Sequence, residues 1–391
     1  MVIGIPREIM RDEHRVAATP ETVGSFLADG YEVLVERGAG RGSYFSDGQY
    51  EAAGARLADS AESLYRQSDI VLKVKEPQNR PEHGGHEVDL LHEGQVLIAF
   101  LHPASPANHE MVRRLAARGV TSLTLDGIPR ISRAQQMDAL TSMSTCAGYK
   151  GMLMAADHLS RFVPQIFGAA GMIRPAQVLV IGSGVAGLQA IATAKRLGAV
   201  VHAADIRPEA AEQAKSLGAR IVDLKIPPEL AAGKGGYARH LPAAWLEKER
   251  AVLTDIVAGM DIVFCSALVP GSQAPLLLTE DMVARLQPGS VVIDVSIDQG
   301  GNCALTVPGE TVVKHFVTII GIKNIPGLLP TSATWLFANN VAKLLHYMTD
   351  NKTFRIDRQD DIIASALTTC DGRIVHTAAL EVMASRGVKA T

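Results

Sequence analysis

The sequence predicts the α/β class, with two doubly wound parallel-sheet domains and a cleft between them. Three observations carry this. Short apolar, β-branched runs alternate with stretches of helical period, the order that builds parallel sheets covered by helices. One run, "AQVLVIGSGVAGLQAIATAKRLGAVVHAADIR", reads as strand, glycine turn, helix and second strand. Polar residues able to do chemistry recur just past strand ends, where such folds bind their ligands.

The elements follow in order. "VIGIP" is a short strand. "TPETVGSFLADG" is a helix, with Thr19 as N-cap, Pro20 at the first helical position and Gly30 near the C-cap. "YEVLVE" is a strand and "SAESLYRQS" a helix. "DIVLKVKEP" is a strand ended by Pro77, with Val71, Lys73 and Lys75 on one face. "QVLIAFLH", "NHEMVRRLAARG" and "VTSLTL" continue as strand, helix, strand. The helical stretch "SMSTCAGYKGMLMAADHLSRF" leads into a second domain, whose later strands are "DIVFCSAL", "SVVIDVSID" and "VTIIGI". "LPTSATWLFANNVAKLLHYMTD" is a helix returning to the first. Residues 1–141 with 331–391 form one domain and 142–330 the other. "IPPELAAGKGGYARHLP" reads as a long loop made mobile by Gly233, Gly235 and Gly236, and "IIASALTTCDGRIVH" finds no place.

Composition narrows the function. The 391 residues are 47% hydrophobic and 20% charged, with net charge -3. That balance argues against nucleic acid or an anionic membrane as partner. No apolar run reaches the ~18 residues that span a bilayer, and the N-terminus has no signal-peptide pattern. Four scattered cysteines (Cys146, Cys265, Cys303, Cys370) read as reduced thiols of a cytoplasmic protein.

"VLVIGSGVAG" places Gly182, Gly184 and Gly187 in G-x-G-x-x-G spacing, with a second strand ending at Asp205. That context is the Rossmann-like dinucleotide fingerprint. Gly182 permits the turn, Gly184 lets the backbone approach a pyrophosphate, and Gly187 packs helix on strand. The helix start at Val185 and Ala186 offers N–H groups and positive dipole to the phosphates. Asp205, followed by Ile206 and Arg207, would accept hydrogen bonds from the adenosine ribose. A 2′-phosphate would meet a like charge there, so NAD is expected over NADP, a preference that Arg207 blunts.

Arg15, Lys75, His102 and Asp298 each fall at or just after a strand end. Arg15 can hold a carboxylate bidentately. Lys75 can polarise a carbonyl or imine, and His102 suits proton transfer near neutrality. Asp298 could relay protons or stabilise a cationic imine. Gathered in the cleft, the four describe hydride transfer to or from a 2-oxo or 2-imino acid. Each also has a plain reading: Arg15 paired with Glu13, His102 a structural hydrogen-bonder, Lys73 a solvated neighbour of Lys75. The histidines His83, His86 and His92 match no metal-ligand spacing, so no metal is expected.

"PRISRAQQMDALTSMS", "GVAGLQAIATAKRLGA", "GGYA" and "GGNCALTVPGETVVKH" are similar to the NAD-binding alpha subunit of proton-translocating transhydrogenase. "KVKEP", "FLHP" and "SIDQGG" are similar instead to alanine dehydrogenase, and "NIPGLLPTSAT" to both. The chain thus resembles the alanine dehydrogenase and transhydrogenase alpha-subunit family along nearly its full length. The resemblance implies NAD contacts at Arg130, Gln135, Asp138, Ser144, Ala267 and Leu268. It implies substrate contact at Asn324, and substrate binding and proton transfer by Arg15, Lys75, His102 and Asp298. Transhydrogenase alpha subunits lack the lysine, histidine and aspartate and pass hydride directly to NADP on another subunit. Burying such groups without a substrate to meet costs desolvation energy. This favours a stand-alone NAD-dependent amino-acid or imino-acid oxidoreductase acting on a 2-oxo acid and an amine. A transhydrogenase subunit with relic residues, partnered by membrane subunits, and a non-catalytic NAD-binding module stay open. A homo-oligomer, dimer or hexamer, is implied by the resemblance.

Overall fold

The computed structural model describes residues 1–80, 84–231, 233, 238–269 and 273–387. The chain divides into two compact units, Met1–Met143 with Gly327–Thr391, and Ser144–Pro326. Both are α/β. The first break falls inside the helix Ala139–His158 rather than before a helix, because that helix is continuous across it.

Unit 1 holds an eight-stranded sheet. Its order is Arg373–Ile374, Leu367–Cys370, Thr121–Thr124, Val96–Ala99, Ile70–Leu72, Val2–Ile5, Glu32–Glu36, Arg56–Ala58. The strands from Thr121–Thr124 to Arg56–Ala58 are parallel. Helix Pro20–Ala28 starts as its sequence signals require. Thr19 accepts from the Thr22 N–H at 3.2 Å, and Thr22 Oγ1 accepts from the Thr19 N–H at 2.9 Å. The C-terminal segment, which the sequence could not place, extends this sheet through two antiparallel strands. Thr369 Oγ1 lies 2.7 Å from Ser122 Oγ and donates to the Val120 carbonyl at 2.7 Å, so the polar strand is satisfied inside the sheet.

One expectation is corrected here. Lys73 is not a solvated neighbour of Lys75: its side chain is fully buried. The regular strand ends at Leu72, although the Lys73 N–H still donates to the Ile98 carbonyl at 3.0 Å. The face carrying Val71 and Lys73 packs inward. Lys73 Nζ donates to Glu8 Oε2 at 3.1 Å and to Glu87 Oε1 at 2.9 Å. Those two carboxylates also accept the backbone N–H groups of Val74 (2.6 Å) and Gln78 (2.8 Å). An ammonium is tolerated inside because two buried carboxyl groups meet it.

Unit 2 holds seven strands in the order Arg220–Ile221, Val200–Ala204, Gln177–Ile181, Ile262–Cys265, Val291–Asp294, Val317–Ile320, Thr311–Lys314, with only the last antiparallel. The central strands are buried on both faces, which is why they read as continuous apolar runs. Each such side chain contributes about 1.5–3 kcal/mol on burial. Gly148 and Gly151 do not weaken the helix Ala139–His158; they let it approach. A Cβ on Gly148 would lie 2.2 Å from the Ala186 carbonyl oxygen, and one on Gly151 3.1 Å from Phe264. The expected long loop contains a short helix, Pro228–Ala231; Gly235 and Gly236 lie outside the described residues.

Candidate functional site

In unit 2 the three glycines of the turn do three different jobs. Gly182 has φ 89°, and a Cβ on it would meet the Ala267 backbone at 2.7 Å. Gly187 packs so tightly that a Cβ would fall 1.9 Å from the Gly182 carbonyl oxygen. At Gly184, the N-cap of helix Val185–Arg196, a Cβ would meet nothing within 4 Å among the described residues, so a ligand can approach the backbone there. The first N–H groups of that helix, at Val185 and Ala186, have no intrahelical acceptor and sit at its positive end. Ser183 Oγ, buried in the same turn, has no hydrogen-bond partner among the described residues. These features fit a dinucleotide pyrophosphate.

The acid at the end of the second strand differs from expectation. Asp205 accepts from the Ser183 N–H at 2.7 Å and the Arg207 N–H at 2.8 Å. It also accepts the Arg207 guanidinium, through Nε at 3.0 Å and Nη2 at 2.8 Å. Ile206, between the two, is half-buried. Burial opposes the charge on Arg207, but Asp205 outweighs it and holds the guanidinium proton more tightly than usual.

Sequence reasoning missed the scaffold behind the turn. Asp294, fully buried at the end of Val291–Asp294, accepts the backbone N–H groups of Asn302 (2.7 Å) and Cys303 (3.0 Å). Asn302 then exchanges two 2.9 Å hydrogen bonds with the Ala267 backbone. Ala267, beside exposed Leu268, is thus held against Gly182. Nothing in the spacing of "DVSIDQGGN" announces this, because it depends on which loop the asparagine meets. Asp298 sits four residues beyond the strand end, its side chain exposed in the turn Ile297–Gln299. Asn324 is half-buried with φ 54°, and Ser144 lies half-buried on its helix.

In unit 1, Arg15, Lys75 and His102 follow the carboxyl ends of three adjacent parallel strands, Val2–Ile5, Ile70–Leu72 and Val96–Ala99. Arg15 is buried. Its Nε and Nη2 donate to Glu13 at 2.7 and 2.5 Å, and its Nη1 to the Met143 sulfur at 2.9 Å. Its plain reading, the pair with Glu13, is therefore present. Lys75 is half-buried, and beside it Glu76 Oε2 is buried without a hydrogen-bond partner among the described residues.

His102 has the most specific surroundings. Its φ of 44° is a left-handed value that costs a non-glycine residue roughly 1–3 kcal/mol. Three contacts hold it there. The imidazole stacks on Phe100 (5.9 Å, 2°), Asn108 Nδ2 donates to the Leu101 carbonyl at 2.9 Å, and the His102 N–H donates to Asp126 Oδ1 at 3.3 Å. Asp126 follows the next strand, Thr121–Thr124, and its Oδ2 lies 3.5 Å from His102 Nδ1. Burial disfavours a charged imidazole, but Asp126 outweighs it and the pKa rises above the usual value. Burial likewise favours a protonated Asp126, yet His102, with Thr124 and the His102 N–H, brings it down to about 2. The sequence offered only the spacing "TLDG" for this partner. Replacing Asp126 with asparagine should lower the His102 titration midpoint, followed through its ring protons by NMR. An unchanged midpoint would refute the pairing.

The loop expected to touch cofactor is built into unit 1 differently at each position. Arg130 and Gln135 are exposed. Asp138 is buried and caps the long helix, accepting from the Thr141 N–H at 2.8 Å and its hydroxyl at 2.6 Å. Of the three histidines, His86 accepts the Val88 N–H at 3.1 Å, His92 lies 3.1 Å from the Glu93 carbonyl, and His83 lies outside the described residues. Among the described residues no group of three or more His, Cys, Asp or Glu could hold a metal ion, and no helix is long and apolar enough to cross a membrane.

A doubly wound sheet with this glycine turn, in a chain whose other unit has chemically able strand ends, defines the class: an NAD-dependent oxidoreductase. The comparisons narrow it. Residues 4–147 match the N-terminal domain of alanine dehydrogenase/PNT, and residues 151–377 the C-terminal domain. The chain belongs to the alanine dehydrogenase/PNT family, and its cofactor is NAD. It is 43% identical to an NAD(P) transhydrogenase alpha subunit of Rhodospirillum rubrum, over 97% of this chain and 98% of that one. It is 31% identical to the alanine dehydrogenase of Bacillus subtilis, over 97% and 93%. A transhydrogenase structure from Sinorhizobium meliloti superimposes with TM-score 0.84 at 36% identity, covering 96% of this chain and all of the other. An L-alanine dehydrogenase structure does so with TM-score 0.81 at 29%, covering 98% and 99%.

Proposed function

We propose that this chain is the NAD(H)-binding alpha component of an NAD(P) transhydrogenase. One observation carries the reading: 43% identity across 97% of the chain to a transhydrogenase alpha subunit of matching length, against 31% to an alanine dehydrogenase of similar coverage. This reverses the order of preference that the strand-end residues alone suggested. The Arg15–Glu13 pair supports the reversal, since that guanidinium is already neutralised. NAD, when bound, supplies the hydride-carrying ring. The N–H groups at Gly184, Val185 and Ala186 hold its pyrophosphate, and Asp205 orients its adenosine ribose. In this reading an NADP(H)-binding component is the partner. The apolar hairpin Ile166–Ile173, with Phe167 76% and Met172 54% exposed, supports self-association.

A second reading, an amino-acid dehydrogenase, is favoured by the His102–Asp126 pair. There Lys75 binds the carboxylate or carbonyl of a 2-oxo acid. His102, held by Asp126, moves a proton at the substrate oxygen, and Asp298 is the second proton carrier. The experiment incubates the purified chain alone with NADH, ammonium and a panel of 2-oxo acids, then adds an NADP(H)-binding transhydrogenase component with NADP. The first reading expects no NADH oxidation alone and hydride exchange once the partner is present. Turnover by the chain alone, lost in His102→Ala while NADH still binds, would replace it with the second.

A further inference from the structure

We propose that the edge strand Thr311–Lys314 of unit 2 pairs with the same strand of a second copy of this chain, antiparallel about a two-fold axis at Val312. The inference stands apart from the cofactor reading and from the hairpin Ile166–Ile173. Strand Thr311–Lys314 ends the seven-stranded sheet and, among the described residues, has a neighbour on one side only. Lys314 faces Val317 across the turn His315–Phe316. Residues that flank such a turn bond each other, and bonded pairs then alternate along the ladder. Glu310 keeps the alternation, its carbonyl accepting the Gly321 N–H at 2.9 Å. Glu310, Val312 and Lys314 therefore turn their backbone groups inward. Thr311 and Val313 turn theirs to the open edge, where Val313 is 65% exposed.

An open edge accepts a further strand, and the charges here choose which. With Val312 opposite Val312 of the second copy, Thr311 of each copy meets Val313 of the other. Each such pair exchanges both of its backbone hydrogen bonds. The same register sets Glu310 against Lys314 at both ends. Both are exposed, and neither has an ion-pair partner among the described residues. Moving the axis to Thr311 or Val313 keeps the outward groups facing but leaves the charges unmatched. A lone edge lysine deters pairing; one that meets a glutamate selects the register. The turn adds a second observation. His315 and Phe316 have φ 50° and 59°, values that such turns take most easily with asparagine and glycine. Its backbone is anchored, by the Gly289 N–H on the Phe316 carbonyl at 2.8 Å and by His315 Nε2 3.0 Å from Glu280 Oε1. The phenyl ring is 78% exposed and gains little inside the chain. In the two-fold register the turn reaches Pro308 and Gly309 of the second copy. A Cβ on Gly309 would meet nothing within 4 Å among the described residues, so that corner is open for the ring to cover.

The test follows the mass of the full chain against concentration by sedimentation velocity. Wild type should associate as concentration rises. Glu310→Lys and Lys314→Glu should each move the midpoint roughly tenfold higher, because like charges then stand opposite at both ends. The double variant Glu310→Lys, Lys314→Glu restores the match and should return the midpoint to within about threefold of wild type. Val313→Pro removes an outward N–H that the sheet itself does not use, and should raise the midpoint roughly tenfold. Phe316→Gly should raise the melting temperature, by relieving the left-handed aromatic, while weakening association about threefold or more. If Val313→Pro does not fold, the charge exchange decides. A chain that stays monomeric, a midpoint that none of the single variants moves, or a double variant as weak as its parents overturns the inference. An assembly held only by another surface, the hairpin Ile166–Ile173 included, gives the second of these results.

Discussion

Lys73→Met should destabilise unit 1 by about 3–5 kcal/mol, the usual cost of removing one partner from a buried ion cluster. Lys73 is fully buried and its ammonium sits between Glu8 and Glu87, whose side chains are 1% and 4% exposed. Above about pH 7, where Glu8 is ionised as well as Glu87, removing it leaves two carboxylates facing each other without water. The same carboxylates accept the N–H groups of Val74 and Gln78, so the segment carrying Lys75 loosens as well. Hydrogen exchange of the Ile70–Leu72 and Val96–Ala99 amides reports the loss directly. The triple variant Lys73→Met, Glu8→Gln, Glu87→Gln should recover most of it, because neutral amides do not repel. Exchange rates in Lys73→Met within tenfold of wild type would show that the cluster carries no such weight.

Unit 1 should also lose about 3 kcal/mol of stability between pH 4.5 and pH 8 through Glu8 alone, by proton linkage. Burial is the main cause: with Glu87 and Glu13 it outweighs Lys73 and pushes the Glu8 carboxyl up to about 7 from its ordinary 4.5. A raised pKa means the folded state binds the proton more tightly than the unfolded state does. The stabilisation is therefore complete below about pH 4.5 and is lost as pH rises through 7. His102, also raised, acts in the same direction. Asp126, held at about 2, acts oppositely and only below its ordinary 3.8, outside this window. Glu249 reaches about 7 by burial and the nearby Asp205, but it belongs to unit 2. The measurement is hydrogen-exchange protection of unit 1 strands against pH, in wild type and Glu8→Gln. Curves of the same slope in the two proteins would rule Glu8 out as the source.

The legible regions of this protein are those in which a local rule and the final structure agree. The Thr19–Pro20 helix start is one, since cap and first turn are neighbours in sequence. The Gly182–Gly187 turn is another, because each glycine answers a backbone constraint set within a few residues. The strands before Arg15, Lys75 and His102 were also readable from their apolar runs. Lys73 was not readable: alternation puts it on a face with Lys75 but cannot tell that the face is closed by Glu8, 65 residues earlier. Asp126 and Asn302 were missed for the same reason, as each acts on a loop from a different strand.

By itself, the sequence determined the α/β class, the dinucleotide turn and the family, because these depend on periodicity, glycine placement and motifs that stay local. Tertiary structure decided which charges are met. It gave Lys73 two buried carboxyl partners, filled Asp205 with Arg207, joined Arg15 to Glu13 and set Asp126 against His102. A charge can enter a protein interior only beside a partner, and chain order does not say which strand ends the fold will bring together.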